Sequence, residues 1–274
     1  MMPDTLSLTH NREETLDVFR AIRRATRKFR ALKLDFTTLH RVTPAAALVL
    51  AAELDRWRRI HKIRPVVFDA DRWDPNVSRL LFDMGLFDLV EAQNLPVIRR
   101  DLEPVERFIR YRTGRGALGE EAVALREAVE SCIGEGLPSR RAMYRGVTEA
   151  MTNVHKHAYI GPFVDATPII KDAWWIGGGF APDQHRLRVL VYDQGIGIPA
   201  TLPRRYALER VTDVLRGRGW HDNDAGRIAA AMELGRTRTG NPNQGRGLPD
   251  LQLFVNAADR ATLRILSRRG EYIC

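Results

Sequence analysis

Three groups of residues in this chain are spaced for chemistry on a phosphorylated ligand. The first is Tyr144-Arg145-Gly146-Val147-Thr148-Glu149-Ala150-Met151-Thr152-Asn153-Val154-His155-Lys156-His157-Ala158. At about 100° per residue, Glu149, Asn153 and Lys156 fall within about 60° of one another, while Met143, Val147, Met151, Val154 and Ala158 gather on another sector. A carboxylate at Glu149 could activate a water or a hydroxyl against phosphorus, and Asn153, one turn on, could offer its amide oxygen to magnesium. Lys156 and His157 would bring positive charge toward phosphate. Taken alone, the same stripe also suits a solvated polar face with ordinary (i, i+4) pairs.

The second group is an apolar run, Val189-Leu190-Val191-Tyr192, that ends in Asp193-Gln194-Gly195-Ile196-Gly197. A carboxylate at a strand tip can accept a hydrogen bond from an exocyclic amino group, which suits adenine, and glycines let the backbone approach a base closely. A plain strand-to-loop turn is the simpler reading, but it needs neither the aspartate nor both glycines. The third group, Gly245-Arg246-Gly247-Leu248, runs straight into an apolar helix over residues 248–255. Free amides at a helix start attract anions, although a Gly-x-Gly pair also serves as a hinge.

The elements that must position these groups follow from pattern. Strands are expected over residues 5–9, 31–36, 64–70 and 96–100, alternating with helices over 11–29, from Thr43-Pro44 to about residue 59, and from Asp74 to a break at Gly85. Thr43 reads as the cap and Pro44 as the first helical turn. His61, at an arginine-rich helix end, is expected to meet the terminal carbonyls. This alternation predicts helices packed against one sheet. Signals are mixed over 103–119, where the domain junction falls, and a connecting helix spans 120–134. Beyond it come the long helix to about residue 159, strands at 172–176, 187–192 and 261–267, and a glycine- and arginine-rich stretch between Pro199 and Gly245. That stretch, with helical pieces at 204–215 and 225–234, is a candidate lid.

Composition sets outer bounds. With 274 residues, 44% of them apolar and 28% charged, the chain can bury two modest cores. Its longest apolar run, residues 45–54, is broken by Glu53 and falls short of the about 20 residues that span a bilayer. No secretory signal pattern opens the chain, so a cytoplasmic protein without a membrane partner is expected. Cys132 and Cys274 have no paired or ligand spacing and read as free thiols. A net charge of +9 admits nucleic acid, an acidic protein surface or a phosphorylated ligand. The arginines at 20–30 and 204–218 lie on amphipathic helices, so a solvated basic face is preferred and nucleic acid stays a secondary alternative.

In this order and at these separations, the three groups resemble the N, G1 and G2 boxes of the ATPase superfamily that unites gyrase, histidine kinases and MutL, called GHKL. The resemblance covers about residues 139–268. It implies an α+β fold: a C-terminal Bergerat α/β sandwich over 138–274, joined through a linker and connecting helix over 103–137 to a smaller α/β domain over 1–102. It also implies Mg-ATP as cofactor, Glu149 as general base or water-orienting carboxylate, Asn153 as magnesium ligand, and Lys156 and His157 on the phosphate side. Asp193 would read adenine, and Gly195, Gly197, Gly245, Arg246, Gly247 and Leu248 would line the nucleotide loops. Two positions depart from the pattern. Residues 269–274 end at an expected hairpin where family members add a strand carrying a threonine, which leaves the sheet incomplete or closed by other segments or another copy. Pro249 stands where many relatives have glycine.

The N-terminal residues resemble a STAS domain through Leu32-Lys33-Leu34-Asp35-Phe36 leading to Thr43-Pro44-Ala45-Ala46-Ala47-Leu48. Ala45 or Pro44 stands where such domains present a phosphorylatable serine. The resulting expectation is a regulatory ATP-binding protein that couples Mg-ATP to a protein partner, with a homodimer left open. The alternatives are a serine/threonine kinase of the anti-sigma-factor type and a basic nucleic-acid-binding module.

Overall fold

Short strands and helices alternate through the N-terminal half: β1 (Thr5–Leu6), α1 (Arg12–Lys28), β2 (Lys33–Leu34), β3 (Arg41–Val42), α2 (Pro44–His61), β4 (Val66–Val67), α3 (Pro75–Asp83) and α4 (Leu86–Leu89). The computed structural model describes residues 2–28, 31–99, 106–116, 119–133, 140–161, 168–236, 252, 255–256 and 261–274. The strands do not merge into the single sheet that the alternation predicts. β1 pairs with β3 and β2 with β4, both parallel and two residues long, and Gln93 extends the second pair through a bridge to Val66. Residues 96–99 are irregular, so the strand expected there is not formed.

α2 starts as its sequence dictates, with Pro44 in the first turn, where its missing N–H costs nothing. Thr43 holds the cap position, with its carbonyl accepting from the Ala47 amide, but its side chain makes no capping bond; the hydroxyl lies 3.5 Å from the Leu6 carbonyl. Asp74 does cap α3, its carboxylate accepting from the Asn76 and Val77 amides. His61 faces the neighbouring helix instead of its own terminal carbonyls, with Nε2 2.8 Å from the Thr26 carbonyl oxygen of α1.

The remaining elements are β5 (Arg107–Arg115), α5 (Gly119–Ile133), α6 (Arg140–Asn153), a π-helical turn (Val154–Ala158), β6 (Ala173–Ala181), β7 (Arg186–Asp193), α7 (Ile198–Arg205), α8 (Leu208–Gly217), α9 (Asp224–Arg236), β8 (Arg264–Ser267) and β9 (Gly270–Ile273). β5, β6 and β7 form an antiparallel sheet in that order, and β8–β9 form a separate hairpin. β5 falls where the sequence signals are mixed. A register shift between Ile109 and Arg112 is the reason: Ile109 packs with the α5–α6 core, whereas Tyr111, two residues on, packs with the N-terminal core. A bulge of this kind breaks the two-residue alternation that marks a strand in sequence.

Both faces of this sheet are covered. Trp174 and Ile176 of β6 join Leu125, Val129, Met143, Val147 and Met151 from α5 and α6, while Trp175 faces α2 and packs with the N-terminal core. Residues 198–236 form three helices around a small core of Leu202, Tyr206, Val211, Leu215, Ala230, Ala231 and Leu234. Cys132 and Cys274 are free, and Cys132 is buried with its thiol 2.8 Å from the Arg107 carbonyl oxygen. Among the described residues no helix is long and apolar enough to cross a membrane.

α2 carries three fully buried charged residues, Glu53, Asp55 and Arg56. Asp55 accepts from Trp175 Nε1 of β6 at 2.9 Å and pairs with Arg58 and Arg59. Glu53 pairs with Arg56 and with Arg23 of α1 at 2.8 Å, and it accepts from the Tyr192 hydroxyl at 3.1 Å. Removing one partner of a buried ion pair strands the other charge without solvent, which costs about 3–5 kcal/mol. Glu53→Ala is therefore expected to lower unfolding free energy by about that amount in a denaturant titration; a midpoint unchanged from the parent would show that the network holds nothing together.

Candidate functional site

α6 leads through the π-helical turn to Tyr159, and the tip of β7 lies against this turn. The Ile196 amide donates to the Ala158 carbonyl at 2.8 Å, and the Tyr159 hydroxyl accepts from the Gln194 amide at 3.1 Å while donating to the Ala173 carbonyl at 2.6 Å. One tyrosine hydroxyl thus joins the end of the helix to the start of β6 and the tip of β7. Burial pushes its pKa up, and the Asp193 carboxylate nearby adds to that shift.

The close approach explains both glycines of the loop. A Cβ on Gly195 would sit 2.3 Å from the Ala158 carbonyl oxygen, so no side chain fits there. Gly197 has φ 86° and ψ 154°, a region essentially restricted to glycine, and a Cβ would meet the Ser267 hydroxyl at 2.8 Å. That hydroxyl accepts from the Ile198 amide at 2.9 Å, which ties the start of α7 to the end of β8.

Asn153, His157, Asp193, Gly195 and Gly197 all line one cavity of about 1900 Å³, together with Thr201, Leu202, Arg205 and Tyr206 of α7 and its end and with Ser267 and Arg268 beside the hairpin. This exceeds the about 300–1,000 Å³ of a typical small-molecule site, and the cavity continues along β7 to α1. Glu149 and Lys156 are not among its described walls; Glu149 is half-buried and Lys156 exposed. Gly245, Arg246, Gly247 and Leu248, with Pro249, lie outside the described residues.

The chemistry of the walls is uneven. Asp193 accepts from the Gly195 amide at 2.8 Å, but burial raises its pKa above the ordinary aspartate value. The Asn153 side-chain nitrogen is buried without a hydrogen-bond partner, and so is the amide oxygen of Gln194. Gln194 spends its side-chain nitrogen on the Ala52 carbonyl at 3.3 Å and on Glu53 at 3.4 Å. Native proteins leave few buried polar groups unpaired, and a ligand in this cavity would have both atoms within its walls to pair. Asn153 is an adequate single ligand for magnesium carried by a nucleotide, because this ion keeps waters and phosphate oxygens for its other positions. Among the described residues no group of three or more His, Cys, Asp or Glu side chains is placed to hold a metal without such help.

Tyr159, Gln194, Ser267, Arg205 and Tyr206 were not singled out by sequence. Gln194 stands beside a marked residue, but Ser267 meets Ile198 across 69 positions of chain, and no local pattern encodes such a contact. No family model, no curated protein and no solved structure matches this chain.

Two outcomes follow from the geometry. Gly195→Ala should destabilise the fold and displace the β7 tip, since the obstruction is backbone and cannot swing aside; a parental melting temperature and unshifted amide resonances for Gln194 and Ile196 would refute the packing. Asp193 adds a pH dependence. Its pKa is raised in the folded state, so the unfolded chain ionises first, and the stability contribution of Asp193 is full at acid pH and lost as pH rises through the raised value. Removing the titrating group in Asp193→Asn should flatten that loss in denaturant titrations across acidic pH, and an identical pH profile in variant and parent would contradict it.

Proposed function

We propose that this chain is a Mg-ATP-binding regulatory protein whose C-terminal part is a GHKL-type, Bergerat-fold nucleotide site. The observation that carries the reading is that Asn153 and Asp193, 40 positions apart on different elements, line the same cavity. Asp193 at the tip of β7 is desolvated, which strengthens any hydrogen bond that its ionised form accepts. The exocyclic amino group of adenine supplies such a donor; guanine presents an acceptor at the equivalent position and would be repelled. Asn153 takes the magnesium, and the loop glycines admit the base at close range. Gly245, Arg246, Gly247 and Leu248 complete the phosphate side in this reading.

Glu149 stands one turn before Asn153 but outside the described cavity wall, so binding is better supported than turnover. The N-terminal half has a direct route to the site, because Glu53 of α2 contacts both neighbours of Asp193 in sequence. Ligand-dependent change at the β7 tip would therefore be felt by α2 and, through Arg23, by α1.

Calorimetric titration with Mg-ATP tests the proposal. The parent should bind ATP in preference to GTP, and Asp193→Asn should weaken ATP binding by about 1.5–3 kcal/mol through loss of a charge-assisted hydrogen bond. Equal affinity of parent and variant, or of ATP and GTP, would contradict the assigned pocket.

A further inference from the structure

Arg205 closes α7, and Tyr206 follows it. Both residues line the cavity that holds Asn153 and Asp193, and both carry a buried polar atom without a hydrogen-bond partner, Nε of Arg205 and the hydroxyl of Tyr206. We infer that these two residues form the anion-binding part of the cavity and take the phosphate chain of the bound nucleotide. The inference rests on the nucleotide reading above and adds to it residues outside its three sequence groups.

Three observations lead there. The unpaired nitrogens and hydroxyl are donors: a guanidinium N–H can only donate, a phenol prefers to donate when buried, and the Asn153 amide nitrogen in the same cavity also donates. The unpaired acceptor, Gln194 Oε1, stands instead beside Asp193 at the β7 tip. Acceptors at the strand tip and donors on the helices match a ligand with an amino group on one part and anionic oxygens on another. Charge selects an anion over a neutral acceptor. The Arg205 guanidinium lies 5.5 Å from the Tyr206 ring centre and that of Arg210 lies 5.8 Å from it, so two permanent cations are gathered at one aromatic ring.

The placement is fixed from both sides. α7 packs against the π-helical turn that carries His157, and Arg204 donates to the Ile160 carbonyl at 3.0 Å, holding the end of the helix beside that turn. Tyr206 is anchored from below by the core of α8 and α9.

Titration calorimetry of parent, Arg205→Ala, Arg205→Lys and Tyr206→Phe with adenosine and with Mg-ATP tests the inference. Arg205→Ala should weaken ATP by about tenfold or more while adenosine affinity stays within about twofold, and Tyr206→Phe should give a smaller loss confined to ATP. Arg205→Lys should fall between parent and alanine, because it keeps the charge but not the planar fork. ATP affinity unchanged in Arg205→Ala, or ATP and adenosine weakened alike, overturns the phosphate assignment and leaves the adenine pocket standing. A parent that binds neither ligand removes the nucleotide reading and this assignment together.

Discussion

A buried carboxylate on α2 fixes the tip of the strand on which the site is built. Glu53 receives Arg23, Arg56, the Tyr192 hydroxyl and the Gln194 amide, so helix, helix and strand converge on two oxygen atoms. Tyr192 and Gln194 flank Asp193, so the position of the site carboxylate is set by a residue from the other half of the chain. Ion pairs buried in this way seldom exceed well-packed apolar side chains in stability, because desolvation offsets most of the attraction. What they add is direction: hydrogen bonds of fixed geometry admit one register of β7 against α2, where an apolar contact would tolerate several.

With the strand tip set, the rest of the site follows from close approach. Gly195 allows the loop to touch the Ala158 carbonyl, Gly197 turns the chain through a conformation that other residues avoid, and α7 is thereby delivered beside the π-helical turn. The same approach desolvates Asp193 and encloses the side chains of Asn153 and Gln194, leaving polar atoms without partners. Leaving a buried polar atom unpaired costs of the order of 1–3 kcal/mol, and a ligand with matching groups would remove that cost. Asn153, Gln194, Arg205 and Tyr206 each bring such an atom to this one cavity, beside the glycine-only backbone of Gly197.

Much of this site could be read from sequence, and the reasons for the remainder are physical. The helix that ends near Ala158 and the strand that ends at Asp193 follow the periodicities of their residues closely. α2 was visible through Thr43-Pro44, and Glu53 was visible only as a charge breaking an apolar run; nothing local says that Arg23 and Tyr192, 30 and 139 positions away, will meet it. β5 was hidden by its bulge, and the N-terminal strands were too short to pair into one sheet. Ser267 and the end of α7 enter the site through tertiary contacts alone. Residue type marked Asp193 at the strand tip and Asn153 on the helix, whereas Arg205 and Tyr206 became apparent only once burial and missing partners were known.

In the proposed site one ligand spans Asn153 and Asp193. An NMR titration of the 15N-labelled protein with Mg-ATP, following the Asn153 side-chain amide and the Gly195 backbone amide, tests this directly. Both resonances should shift along the same saturation curve, because one molecule occupies both positions. Movement of one without the other, or curves with different midpoints, would place the two residues in separate sites and contradict the account.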